Sequence, residues 1–219
     1  MIIKYYETNK ISLDENKFLL FYGKNDGYKA EITENLIKNR QNISTYEEKE
    51  ILDNSNDFIE SLVSKSLFES EKIIIIKRAT DKILKIFQNI ISKNINDLNV
   101  IINADNLEKK SKLRTYFEKD KKFVSVAFFP DNEQTLFKLA YNFLKGKKIP
   151  ISTSNVNLIV GKCNGDREQL INELIKIEHY CKTGKKITPE SISKLTNLNE
   201  NHDVSELINN CLIKNKKRV

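Results

Sequence analysis

"KFLLFYGKNDGYKAEITENLI", residues 17–37, decides the fold that we predict for this chain. A run of apolar residues, 18–22, leads directly into Gly23 and Gly27, and apolar residues at helical spacing follow. Such a run bounded by glycines is typical of a short buried strand that ends in a turn, and the later spacing is typical of an amphipathic helix. The chain therefore opens with a strand, a glycine-containing loop and a helix.

Strand and helix patterns alternate over the next hundred residues. Further strands are predicted at "QNISTYE" (41–47), "IIII" (73–76), "LNVIINA" (98–104) and "KFVSVAFF" (122–129), with helical patterns between them. Continuous apolar runs that alternate with helices favour a parallel sheet covered on both faces. We expect an α/β domain.

The pattern changes after Pro150, beyond which the segments "STSNVNLIVGKC" (152–163), "DREQLINELIKIEHYCK" (166–182), "TPESISKLT" (188–196) and "DVSELINNCLIKN" (203–215) predict helices alone. Thr188 followed by Pro189 is typical of a helix start. We therefore expect an α/β domain at residues 1–147 and a small all-helical domain at residues 148–219.

Composition limits the class of protein. No apolar run approaches the ~18 residues of a membrane span, and the start "MIIKYYETNK" lacks the features of a signal peptide. A cytoplasmic protein is expected. Three widely spaced cysteines without a C-x-x-C pair predict neither a disulfide nor a metal site. The net charge of +7 is compatible with a nucleic-acid partner but does not identify one.

The glycine loop has the layout of a phosphate-binding P-loop but lacks its key residues. A working loop reads G-x-x-x-x-G-K-[ST]. Here Gly23 and Gly27 are four residues apart rather than five, Lys29 comes late, and Ala30 stands where a hydroxyl should bind Mg²⁺. The carboxylate of Asp26 would repel phosphate. We interpret Gly23 and Gly27 as a vestigial phosphate loop without a cofactor, with an unrelated α/β domain as the alternative.

Other signs of catalysis are missing from the sequence. The strand that we expect to end in an acidic pair, "NVIINADN", offers Asn103 and Ala104, with Asp105 alone and late. There is no G-x-S-x-G and no H-E-x-x-H motif. We expect no catalytic activity and assign no catalytic residue.

An apolar pair, Leu67 and Phe68, stands between a predicted helix and the isoleucine strand, with Ser66 ahead of it. Connections of this kind lie at a sheet edge and are exposed in doubly wound folds. The pair is therefore a candidate binding site for another protein, and Leu62 and Val63 of the preceding helix could support it. The alternative is that Phe68 folds back under the sheet.

The order of these features resembles the delta subunit of the bacterial DNA polymerase III clamp loader. Four stretches carry the resemblance: "FLLFYGKNDG" (18–27), "SLFESEKIIIIKRA" (66–79), "VIINADNLEKKSKLRTYFEK" (100–119) and "GDREQLINELIKIEHYCKTGKKITPESISKL" (165–195).

The resemblance implies a P-loop NTPase-like (AAA+-like) three-layer parallel-sheet domain followed by a helical lid domain, without ATP hydrolysis. It implies that Leu67 and Phe68 insert into the hydrophobic pocket of the beta sliding clamp, with Ser66 and Leu62 beside them. The helix near residues 56–65 would press on the ring interface and favour the open ring, which is then loaded onto primed DNA.

The resemblance also implies partners. These are the gamma/tau and delta prime subunits of the loader, which use the ATP, and DNA within the loader of the DNA polymerase III holoenzyme. No membrane is involved, and the chain alone is expected to be a monomer.

The family's third, collar domain is expected to be absent. Lys65 departs from the family's apolar or small residue, and Arg167 stands at a sensor arginine position without a nucleotide to sense.

Two other functions remain open on the residues alone. One is an ATPase of the P-loop class with an atypical loop. The other is a basic nucleic-acid-binding module, for which the candidate DNA contacts are Lys109, Lys110, Lys112 and Arg114, or Lys145, Lys147 and Lys148.

Overall fold

A computed structural model describes residues 1–63, 71–95 and 97–196. The chain divides between Pro130 and Asp131 into two compact units, here called the α/β unit and the helical unit. Within the described residues, no helix is long and apolar enough to cross a membrane. The predicted last helix, 203–215, lies outside the described residues.

The α/β unit contains a six-stranded sheet whose neighbouring strands all run parallel. The strands are β1 (Ile2–Lys4), β2 (Phe18–Tyr22), β3 (Ile43–Glu47), β4 (Lys72–Ala79), β5 (Leu98–Ala104) and β6 (Val124–Ala127). Their order across the sheet is β1-β6-β2-β5-β4-β3. The predicted parallel α/β fold is confirmed.

The four consecutive isoleucines of β4 serve both faces of the sheet. Ile74 and Ile76 belong to one hydrophobic core, whereas Ile73 and Ile75 belong to the other. Successive side chains of a strand point to opposite faces, so an unbroken apolar run requires apolar cover on both sides.

Helices provide that cover. The helices of the α/β unit are α1 (Asp26–Ile37), α2 (Glu48–Asp53), α3 (Ser55–Val63), α4 (Leu84–Ser92) and α5 (Lys112–Lys119). The apolar residues of α1 pack on one face, and those of α2 to α5 pack on the other. The result is the expected three-layer arrangement.

The edge strand β1 was not predicted from the sequence. It pairs Ile2 with Ser125 and Ile3 with Val126, and the N-terminal ammonium donates hydrogen bonds to the carbonyl oxygens of Asp120 and Phe123. A strand of three residues is too short to give a period-two pattern, so its partner β6 decides its conformation.

The helical unit contains α6 (Glu133–Gly146), α7 (Thr153–Lys162), α8 (Arg167–Lys182) and α9 (Pro189–Leu195). Its core includes Leu136, Ala140 and Leu144 of α6, which are fully buried with apolar residues of the other three helices. The predicted boundary after residue 147 is therefore corrected to Pro130. Helical periodicity shows that α6 has an apolar stripe, but it does not tell which surface covers the stripe.

Candidate functional site

The glycine loop is short in the structure. Strand β2 ends at Tyr22 and α1 begins at Asp26, so Gly23, Lys24 and Asn25 alone connect them. Asn25 is the N-cap of α1, and its side chain accepts a hydrogen bond from the backbone N–H of Tyr28. Gly27 therefore lies within the first turn of α1 rather than in the loop. Only Gly23 of the two glycines therefore lies in the connection between β2 and α1.

Protein groups fill the space beside Gly23. Its φ is +119°, and a Cβ added there would lie 2.1 Å from the carbonyl oxygen of Phe128. Its backbone N–H donates to the carbonyl oxygen of Asp105 at 3.0 Å, and the side-chain amide of Asn25 donates to the carbonyl oxygen of Phe129 at 3.0 Å. A P-loop directs its backbone N–H groups at phosphate, whereas this loop directs that of Gly23 at a protein carbonyl.

Lys29, which comes too late in the chain for a P-loop lysine, is buried. Its side chain is 5% exposed, and its ammonium donates to the carbonyl oxygen of Ala104 at 2.7 Å and lies 2.7 Å from the Asp26 carboxylate. A buried ammonium needs such partners because its desolvation is costly. Lys29 therefore joins α1 to the end of β5.

A cavity of about 370 Å³ opens next to Lys29 at the carboxyl ends of the strands. Its charged lining includes carboxylates and cations in similar number: Asp26, Glu34, Asp105, Lys29, Lys77 and Arg78. Arg78 has a φ of +53° and donates a hydrogen bond from Nε to Glu47 at 2.8 Å. A lining of balanced charge does not favour a polyphosphate, which carries several negative charges.

The stretch that carries the candidate binding pair is described at its flanks alone. Ser66, Leu67 and Phe68, together with Lys65, lie outside the described residues. The flanks of the stretch are described: α3 ends at Val63, and β4 begins at Lys72. These flanks lie at the amino end of β4, whereas the glycine loop follows the carboxyl end of β2. Because all strands run parallel, the two features lie at opposite ends of the strands.

The end of α3 and the start of β4 are joined by a hydrogen bond. The ammonium of Lys72 donates to the carbonyl oxygen of Ser61 in α3 at 2.8 Å. The carboxylate of Glu71 accepts hydrogen bonds from Arg40 at 3.1 and 3.2 Å and from the side-chain amide of Asn99 at 2.6 Å. The described residues on either side of 64–70 are therefore tied to each other and to the rest of the α/β unit.

Leu62 was predicted as a contact residue, and the structure assigns it to the core. Its exposed fraction is 2%, and it packs with Phe58 and Ile59 of the same helix. Val63, which is 50% exposed, is the accessible apolar residue at the end of α3. Leu62 lies on the stripe of α3 that faces the sheet, so it can support the neighbouring stretch but presents no surface to a partner.

The candidate DNA contacts of the α/β unit differ in their surroundings. Lys109, Lys110 and Lys112 are exposed. Arg114 is instead engaged within the unit, because its Nε donates to Glu118 at 2.8 Å and its guanidinium lies 5.0 Å from the centre of the Tyr22 ring. Arg114 is therefore held in place by contacts within the α/β unit.

Arg167 is the first residue of α8 and forms an ion pair inside the helical unit. Its Nη1 lies 3.2 Å from both carboxylate oxygens of Asp131, and the two side chains are 10% and 6% exposed. This pair joins the start of α8 to the segment that leads into α6. A structural role explains the position of Arg167 without a nucleotide.

One group of candidate binding residues in the helical unit is not predicted from the sequence. Lys182, Lys185 and Lys186 come next to Lys147 and Lys148 around a cavity of the helical unit. The signal that could have revealed them is the basic run "CKTGKKI" (181–187) directly after the long helix.

The fold is similar to that of solved structures of the AAA+/P-loop type. Comparisons with protein-family models and with curated proteins find no match to this sequence. Among solved structures, the fold is similar to the DNA clamp loader delta protein of Bacillus subtilis, with a TM-score of 0.63 and 16% identity over 97% of this chain and 68% of that chain.

Two further solved structures share the fold. Domain III of the Thermotoga maritima replication initiation protein DnaA has a TM-score of 0.55 and 15% identity, over 87% of this chain and 88% of that one. The Thermotoga maritima RuvB Holliday junction branch migration motor has a TM-score of 0.54 and 14% identity, over 87% and 67%. At such low sequence identities the likeness establishes the fold alone, so any inference about function has to come from the candidate site.

Proposed function

We propose that this chain is the clamp-opening subunit of a bacterial clamp loader. It binds the beta sliding clamp, favours the open ring for loading onto primed DNA, and catalyses no reaction itself. It would act in the cytoplasm as a subunit of the DNA polymerase III holoenzyme, beside the gamma/tau and delta prime subunits that use ATP.

The observation that carries this proposal is that protein groups occupy the space at the glycine loop, residues 23–25, of a P-loop-type fold. The carbonyl oxygen of Phe128 occupies the space beside Gly23, and Lys29 is bound by Ala104 and Asp26. A scaffold of this type whose phosphate loop is filled by its own groups suits a protein that works by binding. The delta protein of Bacillus subtilis, which shares this fold over nearly the whole chain, supports the same role.

The contact site in this proposal is Ser66, Leu67 and Phe68. Two apolar side chains that enter a pocket supply the kind of buried anchor on which binding energy concentrates. The anchored flanks at Ser61 and Lys72 would limit the conformational entropy lost on binding. To open the ring, the protein must bind the open clamp more tightly than the closed one, by at least the free energy that it shifts.

Replacing both Leu67 and Phe68 with alanine is expected to weaken clamp binding at least tenfold, because both anchors are removed. Surface plasmon resonance with immobilised beta sliding clamp measures the affinity. Circular dichroism should show the wild-type fold, since the proposal places both side chains outside the core.

A matched control is Ile2→Ala with Phe129→Ala, which also removes one aliphatic and one aromatic side chain. These residues are 63% and 65% exposed, and the control should bind the clamp like the wild type. If Leu67→Ala with Phe68→Ala binds the clamp normally, the contact lies elsewhere. If that variant unfolds, the pair belongs to the core and the proposed site is wrong.

Isothermal calorimetry with ATP and Mg²⁺ is expected to give no binding heat. The reason is that Lys29 and the Gly23 N–H already bind protein carbonyl oxygens, and a nucleotide would have to displace both contacts. Binding in the micromolar range that is lost in Lys29→Ala would instead favour the alternative, an ATPase with an atypical loop.

A further inference from the structure

The helical unit contains a cavity of about 640 Å³ that we call the lysine pocket. It is formed by the turn after α6 and by the end of α8 with the turn that follows. Five lysines line it: Lys147, Lys148, Lys182, Lys185 and Lys186. The lysine pocket is distinct from the proposed clamp contact, which lies in the α/β unit.

The charge of the lysine pocket is strongly unbalanced. Among the described lining residues one carboxylate, Glu178, faces five ammonium groups, which leaves a net charge of +4. Glu178 pairs with Lys147 at 3.1 Å and with Lys182 at 2.9 Å, and both cations hold the pKa of its carboxyl below the usual value. Lys148, Lys185 and Lys186 pair with no carboxylate in the part of the chain that the structure describes.

Helix ends explain part of this cluster, but not all of it. Cations near a helix C-terminus interact favourably with the helix dipole, and this accounts for Lys147 beside α6 and for Lys182 in the last turn of α8. Lys148, Lys185 and Lys186 lie beyond these helices. A concavity lined mainly by one sign of charge attracts ions of the opposite sign.

The turns that carry the lysines are ordered by backbone hydrogen bonds. The N–H of Ile149 donates to Leu144 at 2.9 Å, and the N–H of Gly184 donates to Cys181 at 3.0 Å. Lys148 has a φ of +57°, a backbone conformation that is uncommon for a residue with a side chain. The turns therefore hold these lysines around one concavity instead of distributing them over the surface.

Two of the lysines are also positioned by aromatic rings. The ammonium of Lys147 lies 5.7 Å from the centre of the Phe143 ring, and that of Lys185 lies 5.4 Å from the centre of the Tyr180 ring. Such contacts favour a defined side-chain position. Ile149, Pro150 and Ile187 form an apolar part of the lining beside these lysines.

We infer that the lysine pocket binds the backbone phosphates of a DNA strand. Lysine ammonium groups act as point charges and suit phosphates presented in series, whereas the planar fork of arginine suits single bidentate contacts. The pocket offers several such charges with one carboxylate against them, and the whole chain carries a net charge of +7. This inference does not depend on clamp binding and is tested without the clamp.

Fluorescence anisotropy with the 219-residue chain and a short labelled DNA strand tests the inference. The variant Lys148→Gln/Lys185→Gln/Lys186→Gln is expected to bind DNA at least tenfold more weakly at low salt. The slope of log K against log salt should fall by about 2, because three phosphate contacts are lost at roughly 0.7 each for a single strand.

The matched control is Lys119→Gln/Lys121→Gln/Lys122→Gln, three exposed lysines of the α/β unit. It removes the same net charge and should leave the slope close to that of the wild type. Equal losses in the two variants, or no salt-dependent DNA binding by the wild type, would overturn the inference. Circular dichroism should show that both variants remain folded.

Two further probes separate DNA from other anions. Inorganic pyrophosphate, titrated calorimetrically, should bind much more weakly than DNA. Vesicles of phosphatidylserine should not bind in a way that depends on the pocket lysines. If either probe binds through these lysines while DNA binding is unaffected by their replacement, the pocket is a site for that probe and the DNA assignment is wrong.

Discussion

Replacing Gly23 with alanine is expected to lower the free energy of unfolding by roughly 2–6 kcal/mol. Two effects add: the φ of +119° is strained for any residue with a Cβ, at about 1–3 kcal/mol, and crowding of a packed site costs about 1–3 kcal/mol. The added Cβ would lie 2.1 Å from the carbonyl oxygen of Phe128, which is backbone and cannot turn aside like a side chain.

Urea denaturation followed by circular dichroism measures this change. Gly161→Ala is the matched control, because Gly161 lies within α7 and a Cβ there meets nothing within 4 Å. That control should be stabilised by about 0.5–1 kcal/mol. Hydrogen exchange should show lost protection in β2 and β6 for Gly23→Ala. Unchanged stability in that variant would mean that the glycine loop is not closed as described.

Replacing Arg167 with alanine is expected to lower the free energy of unfolding by about 3–5 kcal/mol. The reason is that the Asp131 carboxylate, 6% exposed, would lose its ion pair with Arg167 while staying largely shielded from water. Removing one member of a buried pair is far more costly than removing both. Asp131→Asn with Arg167→Met should therefore be less destabilised than the two single changes together.

A double-mutant cycle in urea denaturation measures this coupling. Lys182→Ala is the surface control: its side chain is 64% exposed in the pair with Glu178, and its loss should change stability much less. If Arg167→Ala is as mild as Lys182→Ala, the ion pair does not hold α8 to the start of α6. A binding role for Arg167 would then have to be considered again.

Much of the fold follows from local patterns in the sequence. The alternation of apolar runs and helical stripes predicts the parallel sheet with cover on both faces, because the pleat sends neighbouring isoleucines of β4 to opposite sides. Thr188 and Pro189 predict the start of α9, where Thr188 caps the helix. These features depend on residues close together in the chain.

The candidate site was predicted less completely. The sequence predicts that Gly23 and Gly27 form a vestigial phosphate loop, but it does not reveal that Lys29 binds Ala104. It also places Arg114 with the surface lysines, although Glu118 and Tyr22 engage its side chain. The roles of Ser66, Leu67 and Phe68 remain a prediction.

The sequence by itself therefore determined the layered α/β pattern, the later helices and the failure of the P-loop motif, since each depends on the identity and spacing of neighbouring residues. The tertiary structure alone decided that α6 belongs to the helical unit and that Lys147 and Lys148 share a pocket with Lys185 and Lys186. Periodicity tells which side of an element must be covered. Which element covers that side depends on packing across the whole unit. The same packing brings together lysines that are far apart in the sequence.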